Sequence, residues 1–298
     1  MSGLVMPSYF FISAYGFMLG YSPEKTLSKW KRRFYSLFIP WLLWNTIVWL
    51  ATIAMETIPA IASRLNSGFG YELSFRSWIV DGLLRPANGP FWFISNLLVI
   101  FLMAPLIYYV VRNKYIGLAA IAAGFAAVYF TDVNRYSLLM CLLFCTQAAF
   151  YAQHLRHLVE KKYSTGARLA SLGLIVLYLI FCAGENVQDG YILHALVFSV
   201  SVPALWVLTG NAKLGPKASA MEKYRFWVYG AHYLPLECVE KLWLVLGGVS
   251  VGAAWVGMIM CPVVTVLLLV AAAILVERFC YPLWCVLTGK KPRLRPEK

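Results

Sequence analysis

Charge is scarce in this 298-residue chain: Asp, Glu, Lys and Arg together make 13% of it, against 61% apolar and aromatic side chains. Soluble domains carry about 25% charge, so this composition cannot cover a core with a water-facing surface, and a soluble globular fold is excluded. Acidic residues are scarcest, 13 against 26 basic ones, beside only four histidines. The seven cysteines stand at 141, 145, 182, 238, 261, 280 and 285, mostly inside apolar runs and never as a CxxC pair. That pattern indicates neither a disulfide framework nor zinc, and Cys141 and Cys145, on one helix face, read as packing residues. His154 and His157 have a spacing compatible with two metal ligands but lack a third, so no metal is expected. Repeats and low-complexity tracts are missing too, and residues 1–298 read as a single membrane domain with no appended soluble one.

What the chain has instead is apolar length. Runs long enough for a hydrocarbon core of about 30 Å recur near 4–20, 36–58, 91–111, 115–130, 137–151, 168–183, 191–209, 226–247 and 252–276. The pattern predicts an all-α, polytopic transmembrane helix bundle of about nine helices. Alternate loops differ sharply in charge. Lys25 to Arg33, Arg112 and Lys114, Arg156 to Arg168, Lys213 to Arg225 and the tail from Arg278 hold 21 of the 26 basic residues on one side. Only Arg64, Arg76, Arg85 and Arg135 fall in the opposite loops. The basic side is predicted to be cytoplasmic, which places the C-terminus inside and the N-terminus outside. The positive surplus is then an orientation signal that also meets anionic membrane lipid, and nucleic acid is not needed as a partner. The first apolar run begins almost at Met1 without a basic flank, unlike a signal peptide or an ordinary first membrane helix, and points to a missing upstream helix.

Ionisable groups within membrane helices are expensive and default to functional candidates. The run 226–247 holds His232, Glu237, Glu240 and Lys241. At 100° per residue Tyr229, His232, Leu236, Glu240 and Trp243 share one face, with Glu237 and Lys241 on another at the spacing of an i,i+4 ion pair. Desolvation would keep the His232 imidazole neutral and able to accept a proton, with Glu240 or Tyr229 orienting it. The alternative is a histidine packed against a neighbouring helix. Lys29, Lys31, Arg32 and Arg33 precede a helix at the cytoplasmic boundary, where guanidinium forks suit phosphate oxygens and where basic residues also set topology. The longest loop, 59–90, falls on the outer side, with Ser74 placed to cap a short amphipathic helix carrying Asp81 and Arg85 as a pair.

The order of five stretches resembles the acyltransferase-3 family of membrane acyltransferases. Met6 to Gly20 (MPSYFFISAYGFMLG) is similar to the family's second-helix P-x-F-F-x-x-S-G-Y segment, and Lys31 to Trp44 (KRRFYSLFIPWLLW) to its basic R-x-x-x-L-x-x-P-Y stretch. Pro90 to Leu98 (PFWFISNLL) resembles its x-W-F-L-x-x-L helix start, Phe226 to His232 (FWVYGAH) its late F-x-I-Y-x-x-H, and Glu277 to Gly289 (ERFCYPLWCVLTG) its C-terminus. Family members carry an additional first helix with an Arg and a His, the His being the base. Here the resemblance starts at the second helix, Ala14 replaces a Gly, and the R-x-x-R spacing is met only as Lys29-x-x-Arg32. The resemblance implies an inner-membrane bacterial enzyme moving an acyl group, acetyl first of all, from cytoplasmic acetyl-CoA to a hydroxyl of a surface polysaccharide or lipid-linked glycan. His232 would be the catalytic base, Lys29, Arg32 and Arg33 would bind the CoA phosphates, and Ser13, Trp92, Tyr229 and Glu240 would line the substrate. An inactive or truncated relative, and a non-catalytic glycan transporter or export subunit, are the alternatives.

Overall fold

The computed structural model describes residues 5–58, 70–131, 137–184, 191–209, 221–247 and 250–290, and no strand occurs among them. Arg64, Arg135, Lys213, Lys217 and the basic tail from residue 291 lie outside the described residues. In chain order the helices are α1 (Val5–Met18), α2 (Thr26–Arg33) and, after a π-helical turn Phe34–Phe38, α3 (Ile39–Glu56). A single turn Phe75–Ser77 runs into a π-helix Trp78–Leu84, followed by α4 (Trp92–Leu102), α5 (Ala104–Val111), α6 (Lys114–Thr131) and α7 (Leu138–His154). Then come α8 (Thr165–Gly184), α9 (Tyr191–Thr209), α10 (Arg225–Ala231), α11 (Tyr233–Gly247), α12 (Val251–Phe279) and α13 (Tyr281–Thr288).

Each predicted apolar run lies on helix, as backbone must in lipid, where only internal hydrogen bonds can satisfy N–H and C=O groups. Four stretches of the described residues are long and apolar enough to cross a bilayer: Pro23–Glu56, Lys114–Thr131, Ile192–Thr209 and Val251–Phe279. A fifth, Gly89–Leu102 with Ala104–Val111, is bent by 63°. Shorter apolar helices cover Leu138–His154 and Thr165–Ile180. Local caps fix several starts: the Ser137 and Ser250 hydroxyls accept from the backbone N–H groups of Met140 and Ala253 at 3.2 Å. The bend near Met103 has a cause. Pro105 has no N–H to offer the Phe101 carbonyl, and the Trp30 indole donates to that carbonyl instead, at 2.7 Å.

The helices form two units, Met1–Trp30 with Asn96–Lys213, and Lys31–Ser95 with Leu214–Lys298. The core of the first is the contact of α1 with α7. Phe11 meets Tyr151 edge-on at 5.3 Å, Phe17 stacks on Phe101 at 4.3 Å, and Cys141 and Cys145 are buried there as expected. Gly117 and Gly124, seven residues apart on one face of α6, let it approach α7: a Cβ at either would come within 2.9 Å of Phe150 or Leu143.

In the second unit α3 packs against the π-helix Trp78–Leu84, α10 and α13. The Trp44 indole, buried on α3, donates to the Leu287 carbonyl at 3.0 Å. α13 ends on Gly289 at φ +67°, where a Cβ would fall 2.3 Å from the Ser36 carbonyl oxygen, so only glycine closes this helix. On α12, Gly257 makes room for Trp243, whose indole donates to the Ala253 carbonyl at 2.9 Å.

The loop before Trp92 differs from expectation in one respect. Ser74 caps its turn as predicted, accepting from the Ser77 N–H at 3.1 Å. The segment continues as π-helix, though, and its wider turn takes residues 81 and 85 out of line. Asp81 accepts from the Ser77 hydroxyl at 3.1 Å, and no Asp81–Arg85 ion pair forms.

Candidate functional site

The predicted single helix 226–247 is two helices, α10 and α11, joined at His232. Pro235 again supplies the reason, because it has no N–H for the Ala231 carbonyl. Side chains donate to two neighbouring carbonyls. His232 Nδ1 bonds the Tyr229 carbonyl at 2.8 Å, and Asn88 Nδ2 donates to the Gly230 carbonyl at 2.7 Å. A carbonyl oxygen only accepts, so Nδ1 carries the proton, and in the neutral ring the lone pair is then on Nε2. The joint is thus built to present the basic nitrogen of His232 away from its own helix.

A groove of about 440 Å³ runs past this joint, between the α10–α11 pair and α12. Tyr229, His232 and Leu236 line one wall, as the helical face predicted, and Pro262, Thr265 and Val266 line the other, with Arg225 at one end. Tyr229 is locked in place: its hydroxyl donates to the Pro90 carbonyl at 2.7 Å and its ring stacks on the fully buried Phe91 at 5.4 Å. Glu240, predicted on the same face, is exposed and lies outside the lining. Glu237 and Lys241 do not pair. Glu237 has Tyr233 beside it instead, one turn back along α11.

Beyond the Arg225 end lies a polar cluster. Lys223 Nζ is 2.9 Å from a Glu277 carboxylate oxygen to which the Tyr224 hydroxyl also donates, at 3.1 Å. Tyr224 and Glu277 hold the Lys223 ammonium above its ordinary range, while burial pushes Lys290 down.

The sequence reading missed four residues here. Asn45 and Asn88 are both fully buried. The Asn88 N–H donates to Asn45 Oδ1 at 3.1 Å, and Asn45 Nδ2 donates to the Trp41 carbonyl at 2.9 Å. This chain of amides runs from α3 through Asn88 to Gly230 and fixes the backbone two residues before His232. Gly230 is required for the fit, since a Cβ there would stand 2.6 Å from Trp44 Nε1. Thr265, 2% exposed, has a hydroxyl without a partner among the described residues.

The remaining candidates separate between the units. Lys29 belongs to the first, where its ammonium donates to the carbonyls of Phe17 and Leu19 and sits 5.2 Å from the Phe17 ring centroid and 5.7 Å from that of Tyr21. It closes the C-terminal end of α1, where a cation is favourable. Arg32 and Arg33 belong to the second unit, Arg32 exposed and Arg33 half-buried at the end of α2. Ser13 is half-buried on α1 in the first unit, and Trp92 half-buried at the start of α4 in the second, edge-on to Phe93 at 6.4 Å.

A family described as an acyltransferase domain matches residues 1–277 of the chain. Comparison with curated proteins and with solved structures gave no match.

Proposed function

Because the chain belongs to the acyltransferase-3 family of membrane acyltransferases, we propose that it moves an acetyl group from cytoplasmic acetyl-CoA to a sugar hydroxyl of a surface polysaccharide or lipid-linked glycan, in the inner membrane of a bacterium. The observation that carries the reading is the His232 joint, with Nδ1 tied to the Tyr229 carbonyl and the ring beside a groove roomy enough for a small-molecule group.

In this reading His232 Nε2 takes the proton of the acceptor hydroxyl as its oxygen attacks the thioester carbonyl carbon. A C–O bond forms, the C–S bond breaks, and the proton held on Nε2 returns to the departing thiolate. The Tyr229 carbonyl, fixed through the Asn88–Gly230 bond, accepts from Nδ1–H throughout and steadies the imidazolium that forms in between. Arg32 and Arg33 suit the phosphates of the acyl donor, for they sit at the cytoplasmic boundary that the charge pattern predicts and Arg32 is exposed. Lys29 is already engaged at the end of α1, so the guanidinium pair carries this role.

The test is transfer of label from [1-¹⁴C]acetyl-CoA to glycan in inverted membrane vesicles holding the full chain. Arg32→Gln with Arg33→Gln should raise the KM for acetyl-CoA by roughly tenfold or more, as expected for charge-assisted phosphate bonds worth about 1.5–3 kcal/mol each. Label that never reaches glycan, with either chain, refutes the donor and acceptor assignment.

A further inference from the structure

A second cleft, of about 340 Å³, lies where the loop expected on the outer side packs on α3, and is lined by Thr46, Trp49, Leu73, Ser74, Phe75 and Trp78. Its walls are aromatic. Trp49, 5% exposed, is the buried member, while Phe75 is 74% exposed beside the half-buried Trp78, their centroids 5.6 Å apart and their planes tilted by 40°. The Trp78 ring is held rigidly, since its Nε1–H donates to the Thr46 hydroxyl at 2.9 Å and that hydroxyl donates in turn to the Leu42 carbonyl at 2.8 Å. It opens the π-helix Trp78–Leu84, a form of turn that occurs frequently at functional sites.

Two polar groups are left over in this lining. The Trp49 indole N–H is buried without an acceptor among the described residues, and Ser74 accepts from the Ser77 N–H while its own O–H donates to none of them. An aromatic belt at the membrane surface would account for Phe75 alone. It does not account for three rings converging on a cleft beside the unspent hydroxyl of Ser74.

A sugar ring has the matching chemistry: one face of partly positive C–H groups, which the negative face of an indole or phenyl attracts, and a rim of hydroxyl oxygens that accept hydrogen bonds. We propose that the cleft of Trp49, Phe75 and Trp78 is a carbohydrate subsite, holding one ring of the acceptor glycan by stacking on Phe75 and Trp78. The proposal rests on the acceptor being a glycan, but it concerns binding and needs no acyl donor.

The experiment is saturation-transfer NMR on the full chain in lipid nanodiscs, without acyl-CoA. The probes are the methyl glycosides of glucose, galactose, mannose, rhamnose and N-acetylglucosamine at millimolar concentration. At least one probe should be saturated most strongly at ring C–H protons. Its apparent affinity should fall about five- to tenfold, a stacking contact's worth, in Phe75→Ala and in Trp78→Ala, and recover in Phe75→Tyr. Phe75 is mostly exposed, so its alanine variant should keep the wild-type melting temperature and separate lost binding from lost fold. His232→Asn should bind the probe as the wild type does. Saturation of no probe, or saturation untouched by both alanine variants, overturns the subsite whatever the outcome of acetyl transfer. Binding that depends on Phe75 in a chain that acetylates no glycan keeps the subsite and removes the acceptor reading.

Discussion

Gly230→Ala is a small substitution with a large expected cost. The new Cβ would lie 2.6, 2.7 and 2.8 Å from Nε1, Cε2 and Cδ1 of the Trp44 indole, about 1 Å inside ordinary contact distance. Trp44 cannot tilt away freely, because its N–H donates to the Leu287 carbonyl at 3.0 Å in a buried setting. Either the ring moves and strands a buried donor and acceptor, at about 1–3 kcal/mol, or α10 shifts and overpacks its neighbours at a similar cost. By either route the cost is about 1–3 kcal/mol, or a melting temperature in detergent lowered by about 2–10 °C. The Asn88–Gly230 bond would be displaced with it, and the His232 joint next to it. The diagnostic is the background. In Trp44→Leu the obstacle is gone, and since alanine favours helix over glycine by about 1 kcal/mol, the same substitution should there be neutral or stabilising. An equal loss in both backgrounds, or a Gly230→Ala chain as stable as the wild type, refutes the packing account of the joint.

Asn88→Ala removes the donor of the Gly230 carbonyl and should cost about 1–3 kcal/mol in thermal melts, with acetyl transfer falling further than stability because the His232 joint loosens. Thr265→Val replaces a buried hydroxyl that has no partner among the described residues, so it should raise the melting temperature by up to a few degrees; a lowered one contradicts the unpartnered assignment. Lys29→Met should lower the melting temperature, by about 1–2 kcal/mol for the lost carbonyl bonds and cation–π contacts, and leave the KM for acetyl-CoA unchanged. A rise in that KM would return Lys29 to the donor site.

The parts of this molecule that read directly from its sequence are those set by local periodicity. Each apolar run lies on helix and Tyr229, His232 and Leu236 face the same groove, since 100° per residue dictates both, and Ser74 caps its turn because its hydroxyl reaches the Ser77 N–H. The helix breaks were less legible. Pro203 and Pro262 sit inside α9 and α12, while breaks accompany Pro105 and Pro235. The difference is whether side chains come to donate to the carbonyls around the break, as Trp30 does for Phe101 and Asn88 for Gly230, and no window of sequence contains those partners. The Glu237–Lys241 and Glu240 expectations are not met within α11 itself, which is unbroken over these residues: spacing sets which residues share a face but not which neighbour a side chain takes, and Glu237 has Tyr233 beside it while Glu240 is exposed. Asn45 and Asn88 were missed because an isolated asparagine looks like any loop or helix residue until its partner, 43 residues away, is placed beside it. The aromatic cleft was half visible: Phe75 and Trp78 fall in the long outer loop, but Trp49 lies in an apolar run where its indole carries no separate signal.

The central claim is that Nε2 of His232 moves the proton during acyl transfer while Nδ1 holds the joint. His232→Asn separates the two, because the asparagine amide N–H can reach the Tyr229 carbonyl in place of Nδ1–H but leaves nothing at the position of Nε2. Acetyl transfer should be measured for this variant beside its melting temperature. The account predicts near-wild-type stability and KM values with kcat reduced about 10²- to 10⁴-fold, the usual contribution of a general base. A His232→Asn chain that transfers acetyl groups at the wild-type rate contradicts it.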